Sequence, residues 1–181
     1  RRKALITGAA GGMGRACARL FGATHDLVLS DVAADGLNSF AAELAGEGYG
    51  VVGAHAGDLC DDALLAAIVG DLRGDAPITV LHTAGLSPAQ ADWQAIMTIN
   101  LIGSEKLLQA VEPILVPGSV AVIIASAAAH SMPAIPDVDA LLDAPLADGF
   151  MDGIGAMVNA MAPMAGPAGA RGISYSCSTR G

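Results

Sequence analysis

The chain has 181 residues, of which 53% are hydrophobic, 15% charged and 3% aromatic. This apolar content can repay the entropy of ordering, which excludes a disordered chain, and the length suits one domain of the common ~100–150-residue class. Nine basic against eighteen acidic residues give a formal net charge of −9, which argues against binding nucleic acid or an anionic membrane.

The apolar runs are too short for a membrane span. The longest, residues 120–129, contains Ser126, whereas a spanning helix needs about 20 apolar residues. Three cysteines without short spacing indicate reduced thiols, so we expect a cytoplasmic protein without membrane segments.

Five short apolar runs are rich in β-branched residues and do not alternate with polar ones, which is typical of strands covered on both faces. They are residues 4–6, 27–29, 51–52, 78–81 and 120–124. Segments of helical period separate them. This alternation predicts an α/β fold with a doubly wound parallel sheet and helices on both faces.

Four apolar stripes define the intervening helices. Their members are Met13, Cys17, Leu20 and Thr24; Leu37, Phe40, Ala41 and Leu44; Leu64, Leu65, Ile68 and Leu72; and Trp93, Ile96, Met97, Leu101, Leu108 and Val111. Beyond Ser126 we predict two short helices, near residues 141–146 and 151–158, and an irregular loop over residues 161–172.

The first strand runs into the turn Thr7-Gly8-Ala9-Ala10-Gly11-Gly12-Met13-Gly14, which leads directly into a helix. Glycines permit a tight turn and let main-chain amides approach a pyrophosphate at a helix N-terminus. A glycine turn without a ligand is the alternative. The spacing differs from the common dinucleotide fingerprint, in which one residue separates the first two glycines.

The pattern Thr7-Gly8-xxx-Gly12-x-Gly14 resembles the signature of the short-chain dehydrogenase/reductase family. The resemblance implies a three-layered Rossmann-like fold and a nicotinamide dinucleotide as cofactor. The residues it places against the cofactor are Gly8, Gly11, Gly12, Met13, Gly14, Asp58, Leu59, Ala84 and Gly85, with Asp58 and Leu59 at the adenine.

Asp31 closes the second strand, where a carboxylate can accept hydrogen bonds from the adenosine ribose hydroxyls. Its charge would repel a 2′-phosphate, so we expect NAD rather than NADP. A solvated carboxylate is the alternative. The family usually has Asn-Asn-Ala-Gly where this chain has His82-Thr83-Ala84-Gly85, which puts the bonds of the two Asn in doubt. We expect His82 to be a strand-end residue.

Three residues match the family's catalytic positions. Asn100 stands in Asn100-Leu101-Ile102-Gly103, like the family's Asn-x-x-Gly, whose Asn holds a water through its backbone carbonyl; a structural amide is the alternative. Ser126 follows the fifth strand, at the ligand-facing end of the sheet. Tyr175 matches the tyrosine of Tyr-x-x-x-Lys and would be the general acid/base.

Thr179 stands where the family has the lysine that lowers the pKa of the tyrosine from about 10 and binds the nicotinamide ribose. Threonine supplies no positive charge. Arg180 is rotated about 100° around the helix and is expected to point elsewhere. An inactive natural relative, an engineered change and a sequence error are open explanations.

The interval from Ser126 to Tyr175 is 49 positions, longer than in most of the family. It resembles the subgroup of bacterial 3α-hydroxysteroid dehydrogenase/carbonyl reductase, which implies that residues 127–174 are an insertion near the substrate entrance and subunit interface. A bulky alcohol such as a hydroxysteroid, and a homo-oligomer, follow from that resemblance. Core packing without a substrate role is the alternative.

The family continues with two further strands, so we expect residues 1–181 to be a single short-chain dehydrogenase domain that is C-terminally incomplete. Residues 120–124 would then form an exposed sheet edge, which is an aggregation hazard. Cover by another chain is the less favoured explanation.

These residues together predict an NAD-dependent oxidoreductase that interconverts a secondary alcohol and a ketone, both small molecules. The alternative is a nucleotide-binding protein without turnover, because of Thr179. A methyltransferase of similar topology would leave Ser126 and Tyr175 unexplained. No His or Cys pair has metal-ligand spacing, so we expect no metal site.

Overall fold

The computed structural model describes residues 1–131, 133–164, 166 and 169–180. The chain forms two compact units. Unit 1 comprises Arg1–Ala84 and Lys106–Ile124, and unit 2 comprises Gly85–Glu105 and the described residues from 125 onward. The assignment of residues 1–181 to one domain, and of residues 127–174 to an insertion, stays a prediction.

A five-stranded parallel sheet forms the centre of unit 1. Its strands are β1 (Arg2–Thr7), β2 (His25–Asp31), β3 (Val51–Ala56), β4 (Ile78–His82) and β5 (Val120–Ile123). Their order is β3-β2-β1-β4-β5, so the chain reverses its direction of winding at β1. The predicted α/β fold and all five strands are confirmed.

Helices cover both faces of this sheet. They are α1 (Gly12–Gly22), α2 (Ala34–Gly46), α3 (Asp62–Leu72) and α5 (Ser104–Val111). Alternate strand residues face opposite sides. Leu5 and its neighbours pack with α3 and α5, whereas Ile6 and its neighbours pack with α1 and α2. The predicted three layers therefore have two separate apolar cores.

Two strands depart from the expected cover on both faces. The residues of β3 alternate between half-buried and exposed, and all four residues of β5 are exposed. Both lie at edges of the sheet. Ile123 at 43% and Val122 at 41% exposure make β5 the apolar, open edge that the sequence predicts.

Unit 2 is helical. It contains α4 (Trp93–Met97), a π-helix (Thr98–Gly103), a 3₁₀ helix (Ala127–Ser131), α6 (Pro136–Leu142), α7 (Phe150–Met161), a second 3₁₀ helix (Ala162–Met164) and α8 (Gly169–Ser178). Its apolar core joins residues of α4, α6, α7 and α8. The predicted loop over residues 161–172 is therefore wrong at both ends, and residues 165, 167 and 168 lie outside the described residues.

Two of the predicted helical stripes need correction. In α1, Met13 and Leu20 are more than half exposed, and the buried face carries Gly14, Ala18 and Gly22 instead. Small residues face the sheet because the helix backbone approaches it closely. In α5 the buried leucine is Leu107, not Leu108, because α5 packs in the core with β1 and α3, whereas Met97 and Leu101 of the same predicted stripe pack in the core of unit 2.

Candidate functional site

The glycine turn links β1 to α1, and its backbone atoms lie very close to one another and to the backbone of Ala84. Gly8 has φ +65°, and a Cβ there would lie 2.8 Å from the amide nitrogen of Ala84. A Cβ on Gly14 would overlap the carbonyl oxygen of Gly8 and lie 2.7 Å from Cα of Ala9. The Gly11 amide donates to Gly8 O at 3.0 Å. Glycine is therefore required at positions 8 and 14 by the turn itself.

The N-terminus of α1 opens to solvent at this turn. Gly11, Gly12 and Met13 are exposed, and a Cβ on Gly12 would meet nothing within 4 Å. The first amides of a helix lack partners within it and carry its positive dipole end. No acidic residue lies in the first turn of α1. The residues present therefore fit a bound diphosphate, and Met13, whose side chain is exposed, would contribute its backbone.

Asp31, the last residue of β2, is tied to the turn through its carboxylate. One oxygen accepts the amide of Ala10 and the other accepts the amide of Ala33, each at 2.9 Å. These two bonds fix the carboxylate beside the glycine turn. Since each carboxylate oxygen has two acceptor sites, further donors can be accommodated.

Hydrogen bonds between the ends of β1 and β4 stabilise the strand end from which the same turn begins. Thr7 Oγ1 lies 2.6 Å from His82 Nδ1, and the amide of Ala84 donates to the same hydroxyl at 3.4 Å. Thr83 donates to the carbonyl of Thr7 through both its hydroxyl, at 2.8 Å, and its amide, at 3.3 Å. His82 and Thr83 thus bond across the strand ends at the positions where the family's two Asn are missing.

His82 is a buried strand-end residue, as expected, with 2% exposure. Burial lowers the pKa of its imidazole to about 4. The ring is therefore neutral at pH 7. The Ala84 amide donates to Thr7 Oγ1, and that hydroxyl can in turn donate to Nδ1 of a neutral ring.

The remaining predicted cofactor residues lie at three places. Asp58 is exposed, and its carboxylate accepts the amide of Cys60 at 2.8 Å. Leu59 is buried in the core with α3, so only its backbone is left for a ligand. Ala84 abuts Gly8, and a Cβ on Gly85 would lie 3.4 Å from Oδ1 of Asn100.

Asn100 lies within the π-helix and its side chain is fully engaged. Its Oδ1 accepts the amide of Leu86 at 2.7 Å, and its Nδ2 donates to the Leu86 carbonyl at 2.9 Å and to Ser178 Oγ at 3.2 Å. Its own carbonyl accepts the hydroxyl of Ser104 at 2.7 Å. The side-chain amide is thus bonded to backbone, and the role of the Asn100 carbonyl in holding a water stays a prediction.

Ser126 and Thr179 line one cavity in unit 2. It has a volume of about 420 Å³ and is lined by Ala125, Ser126, Ala129, His130, Thr179 and Arg180. The hydroxyl of Ser126 accepts the amide of Ala128 at 3.2 Å, which holds it at the start of the 3₁₀ helix. The structure therefore brings these two candidate positions together, with Tyr175 not among the lining residues.

Tyr175 is half-buried on α8, one turn before Thr179. No hydrogen bond of its phenol is found within the described part of the chain. The hydroxyl of Thr179 turns back to its own helix and donates to the carbonyls of Tyr175, at 3.0 Å, and Ser176, at 3.3 Å. Thr179 therefore caps a helix end and gives the phenol no charge.

Arg180 corrects a prediction, because it lines the same cavity as Thr179. The helix ends at Ser178, so helical rotation no longer separates the two side chains. Its Nε lies 3.1 Å from a carboxylate oxygen of Asp139, and its Nη1 donates to the carbonyl of Pro133 at 3.0 Å. The guanidinium is thus paired with an acid.

A model of the short chain dehydrogenase family matches residues 2–136. The chain belongs to this family. The match covers the sheet of unit 1 together with Asn100 and Ser126, and ends before Tyr175. No curated protein matches the chain.

Solved short-chain dehydrogenases share the fold. A glucose/ribitol dehydrogenase from Brucella melitensis is 27% identical, with TM-score 0.60, over 92% of this chain and 71% of that one. A Sphingobium yanoikuyae enzyme in complex with NADPH is 32% identical, with TM-score 0.61, over 72% of this chain and 56% of that one. Salutaridine reductase from Papaver somniferum is 14% identical, with TM-score 0.72, over 98% and 79%.

Sequence reasoning missed the side chains that hold the family's turn in place here. The motif contains Thr7 but assigns its side chain no role, although Thr7 Oγ1 bonds to the end of β4. Arg15, one residue past Gly14, lies outside the motif, and its Nε donates to the carbonyl of Ala10 at 3.1 Å. The sequence features that indicate these two contacts are the polar residue at the end of the first strand, Thr7, and the cation next to the glycines, Arg15.

The described part of the chain shows neither a membrane span nor a metal cluster. None of the helices described is long and apolar enough to cross a membrane. Likewise, the described His, Cys, Asp and Glu residues form no group of three or more placed to hold a metal ion.

Proposed function

We propose that this short-chain dehydrogenase is an NAD-dependent oxidoreductase that interconverts a secondary alcohol and a ketone. One observation carries the nucleotide part of the proposal. The carboxylate of Asp31 is bonded to the amide of Ala10 within a glycine turn that opens at the N-terminus of α1. That turn would hold the diphosphate, and Asp31 would accept the adenosine ribose hydroxyls.

The preference for NAD rests on the charge of Asp31. A 2′-phosphate carries up to two negative charges, which the carboxylate repels, and Gly11 places no cation in the turn. A relative that is 32% identical was solved with NADPH, so both nucleotides belong in the test.

Three residues of unit 2 would perform the proton chemistry. Ser126 would donate a hydrogen bond to the substrate oxygen, and Tyr175 would give or take its proton. Asn100 would accept a water at its backbone carbonyl, with its side chain fixed by Leu86. The bound nicotinamide supplies the hydride-transfer chemistry itself.

Nucleotide binding without turnover is the alternative. It is motivated by the hydroxyl of Thr179, which bonds to its own helix, and by Arg180, whose charge is paired with Asp139. Nothing among these contacts replaces the family's lysine beside Tyr175.

Calorimetric titration with NADH and NADPH tests the binding part. We expect NADH to bind more tightly, and Asp31→Asn to weaken NADH about 10- to 100-fold, because bonds to a charged acceptor are worth about 1.5–3 kcal/mol. Asp35→Asn, at an exposed carboxylate in the first turn of α2, is the matched control. Equal loss in both variants, or no binding by the unmodified chain, refutes the proposal.

Turnover is tested at position 179. NADH consumption with a panel of ketones should rise in Thr179→Lys, since an ammonium one helical turn from Tyr175 lowers the pKa of the phenol. Adding Tyr175→Phe should abolish the gain, whereas Tyr49→Phe should not, because Tyr49 packs against α1. If the unmodified chain and Thr179→Lys both bind NADH and neither consumes it with any ketone of the panel, the proposed turnover is refuted, and the absence of the lysine does not account for the missing activity.

Substrate class, assembly and compartment are further parts of the proposal. The resemblance to hydroxysteroid dehydrogenases favours a bulky alcohol near residues 127–174 and a homo-oligomer. Within the described residues, Cys17, Cys60 and Cys177 form no disulfide with one another, which is consistent with the reducing, cytoplasmic location that the proposal includes. Activity restricted to small alcohols, and a monomeric mass in sedimentation, would contradict the first two.

A further inference from the structure

One residue of the glycine turn is held from two sides by opposite charges. The amide of Ala10 donates to a carboxylate oxygen of Asp31 at 2.9 Å, and the carbonyl of Ala10 accepts from Nε of Arg15 at 3.1 Å. The guanidinium of Arg15 and the carboxylate of Asp31 therefore bond to opposite sides of the same residue, Ala10. This carboxylate is the one that would bind the adenosine ribose.

Arg15 is held in this position by α2. Its Nη1 donates to Oε2 of Glu43 at 3.2 Å, and its guanidinium carbon lies 4.4 Å above the ring of Phe40. The side chain is 34% exposed and that of Glu43 is 44% exposed. Within the described residues, Nη2 of Arg15 has no hydrogen-bond partner. The guanidinium is thus oriented and solvent-accessible, with its charge balanced by Glu43.

We propose that Arg15 and Glu43 are a second determinant of nucleotide selectivity, in which Glu43 neutralises a guanidinium that would otherwise bind a 2′-phosphate beside Asp31. This inference rests on the proposed nucleotide binding. It assigns Arg15 as a phosphate ligand that the chain already contains, and Glu43 as the residue that competes with the phosphate for it.

The energetics favour such a competition. A half-exposed ion pair contributes little to stability, so the guanidinium can leave Glu43 at small cost. A phosphate monoester carries more charge than a carboxylate and accepts two parallel bonds from arginine. Two negative groups oppose it in the natural chain, the carboxylate of Asp31 and that of Glu43, and both must be neutralised for tight binding of NADPH.

Glu47 provides a matched control on the same helix face. Arg19 bonds to both Glu43 and Glu47, whereas Arg15 bonds only to Glu43 among the described acidic residues. Removing either carboxylate changes the net charge of the chain equally. Only removal of Glu43 releases the guanidinium that touches the glycine turn.

The experiment measures NADPH and NADH affinities by calorimetry in an Asp31→Ser background. We expect Glu43→Gln to strengthen NADPH binding about two- to fivefold and Glu47→Gln less than about 1.5-fold, since an exposed ion pair is worth at most about 1 kcal/mol. Adding Arg15→Gln to the Asp31→Ser/Glu43→Gln chain should return the ratio of NADPH affinity to NADH affinity to its value in the Asp31→Ser chain. The ratio is compared because Arg15 also bonds to the Ala10 carbonyl of the turn that both nucleotides would use. The gain should also shrink in high salt, because the contacts are partly exposed.

Three results overturn the inference. Equal effects of Glu43→Gln and Glu47→Gln would show that the gain in NADPH affinity comes from net charge alone. A gain that survives Arg15→Gln would show that Arg15 does not bind the 2′-phosphate. In both cases NADH binding by the unmodified chain leaves the proposed function standing. Failure of the unmodified chain to bind either nucleotide refutes the proposed function and this inference together.

Discussion

The buried His82 makes a definite prediction about stability and pH. The imidazole has a pKa of about 4 in the folded chain because burial disfavours its charged form, against about 6.5 for an exposed histidine. Between these values the unfolded chain binds the proton and the folded chain does not. Stability is therefore intact above pH 6.5 and falls as the pH drops from 6.5 towards 4.

The size of the effect follows from the two pKa values. Linkage gives a loss of about 2 kcal/mol between pH 7 and pH 5, rising to about 3 kcal/mol at pH 4, from this one group. Protonation of Nδ1 would also reverse its bond with Thr7, because the hydroxyl of Thr7 could no longer donate to the ring and would accept from both the ring and the amide of Ala84. A domain stable by 5–15 kcal/mol should show such a loss clearly.

Urea denaturation at pH 7 and pH 5 measures this loss of stability in the unmodified chain and in His82→Asn. Asparagine is the family's usual residue there and can bond to Thr7 without titrating. We expect the fall in stability between the two pH values to be about 2 kcal/mol smaller in the variant. His130→Asn, at a histidine outside the apolar cores, is the matched control. If His82→Asn and the unmodified chain lose stability equally, the burial argument is wrong.

Three substitutions test other parts of the structure. Gly14→Ala should cost at least about 1–3 kcal/mol in a thermal melt because its Cβ would overlap Gly8, whereas Gly12→Ala should be neutral or slightly stabilising; similar melts would contradict the packing of the turn. Asn100→Asp loses the amide donors and should cost about 1–3 kcal/mol in urea denaturation, and a smaller loss would show that those bonds are dispensable. Val122→Lys places a charge on the exposed strand β5, so it should reduce light scattering on standing while changing stability by less than about 1 kcal/mol. Unchanged scattering would show that β5 is not the edge through which the chain aggregates.

The sheet could be predicted from sequence because its strands are short, apolar and separated by turn residues. The helices were harder where packing departs from simple periodicity. In α1 the glycines and Ala18 face the sheet, so a search for large apolar residues selects the exposed Met13 and Leu20. In the fourth predicted stripe, Met97 and Leu101 pack in the core of unit 2, whereas Leu107 and Val111 pack in the core with α3, so one continuous apolar stripe does not describe the segment.

In the candidate site, too, the sequence predicts some features and not others. Motif spacing predicts Gly8 and Gly14, because the backbone of the turn leaves no room for a Cβ there, and it places Asp31 at the end of the second strand. It does not find contacts between distant segments, such as the bond from Arg15 to Ala10 or the two bonds of Asn100 to Leu86. These depend on side-chain direction, which only the folded chain determines.

The two departures from the family pattern have different physical consequences. Where the two Asn are missing, His82 and Thr83 still bond to the hydroxyl and carbonyl of Thr7, so the turn keeps its support with different side chains. The requirement there is geometric, and several polar residues can meet it. At position 179 the resemblance to the family implies a positive charge beside Tyr175, and a hydroxyl bonded to the Tyr175 carbonyl cannot supply it. We therefore expect the diphosphate and adenosine contacts to survive both changes, whereas the second change removes both the charge beside Tyr175 and the contact to the nicotinamide ribose that the family's lysine supplies.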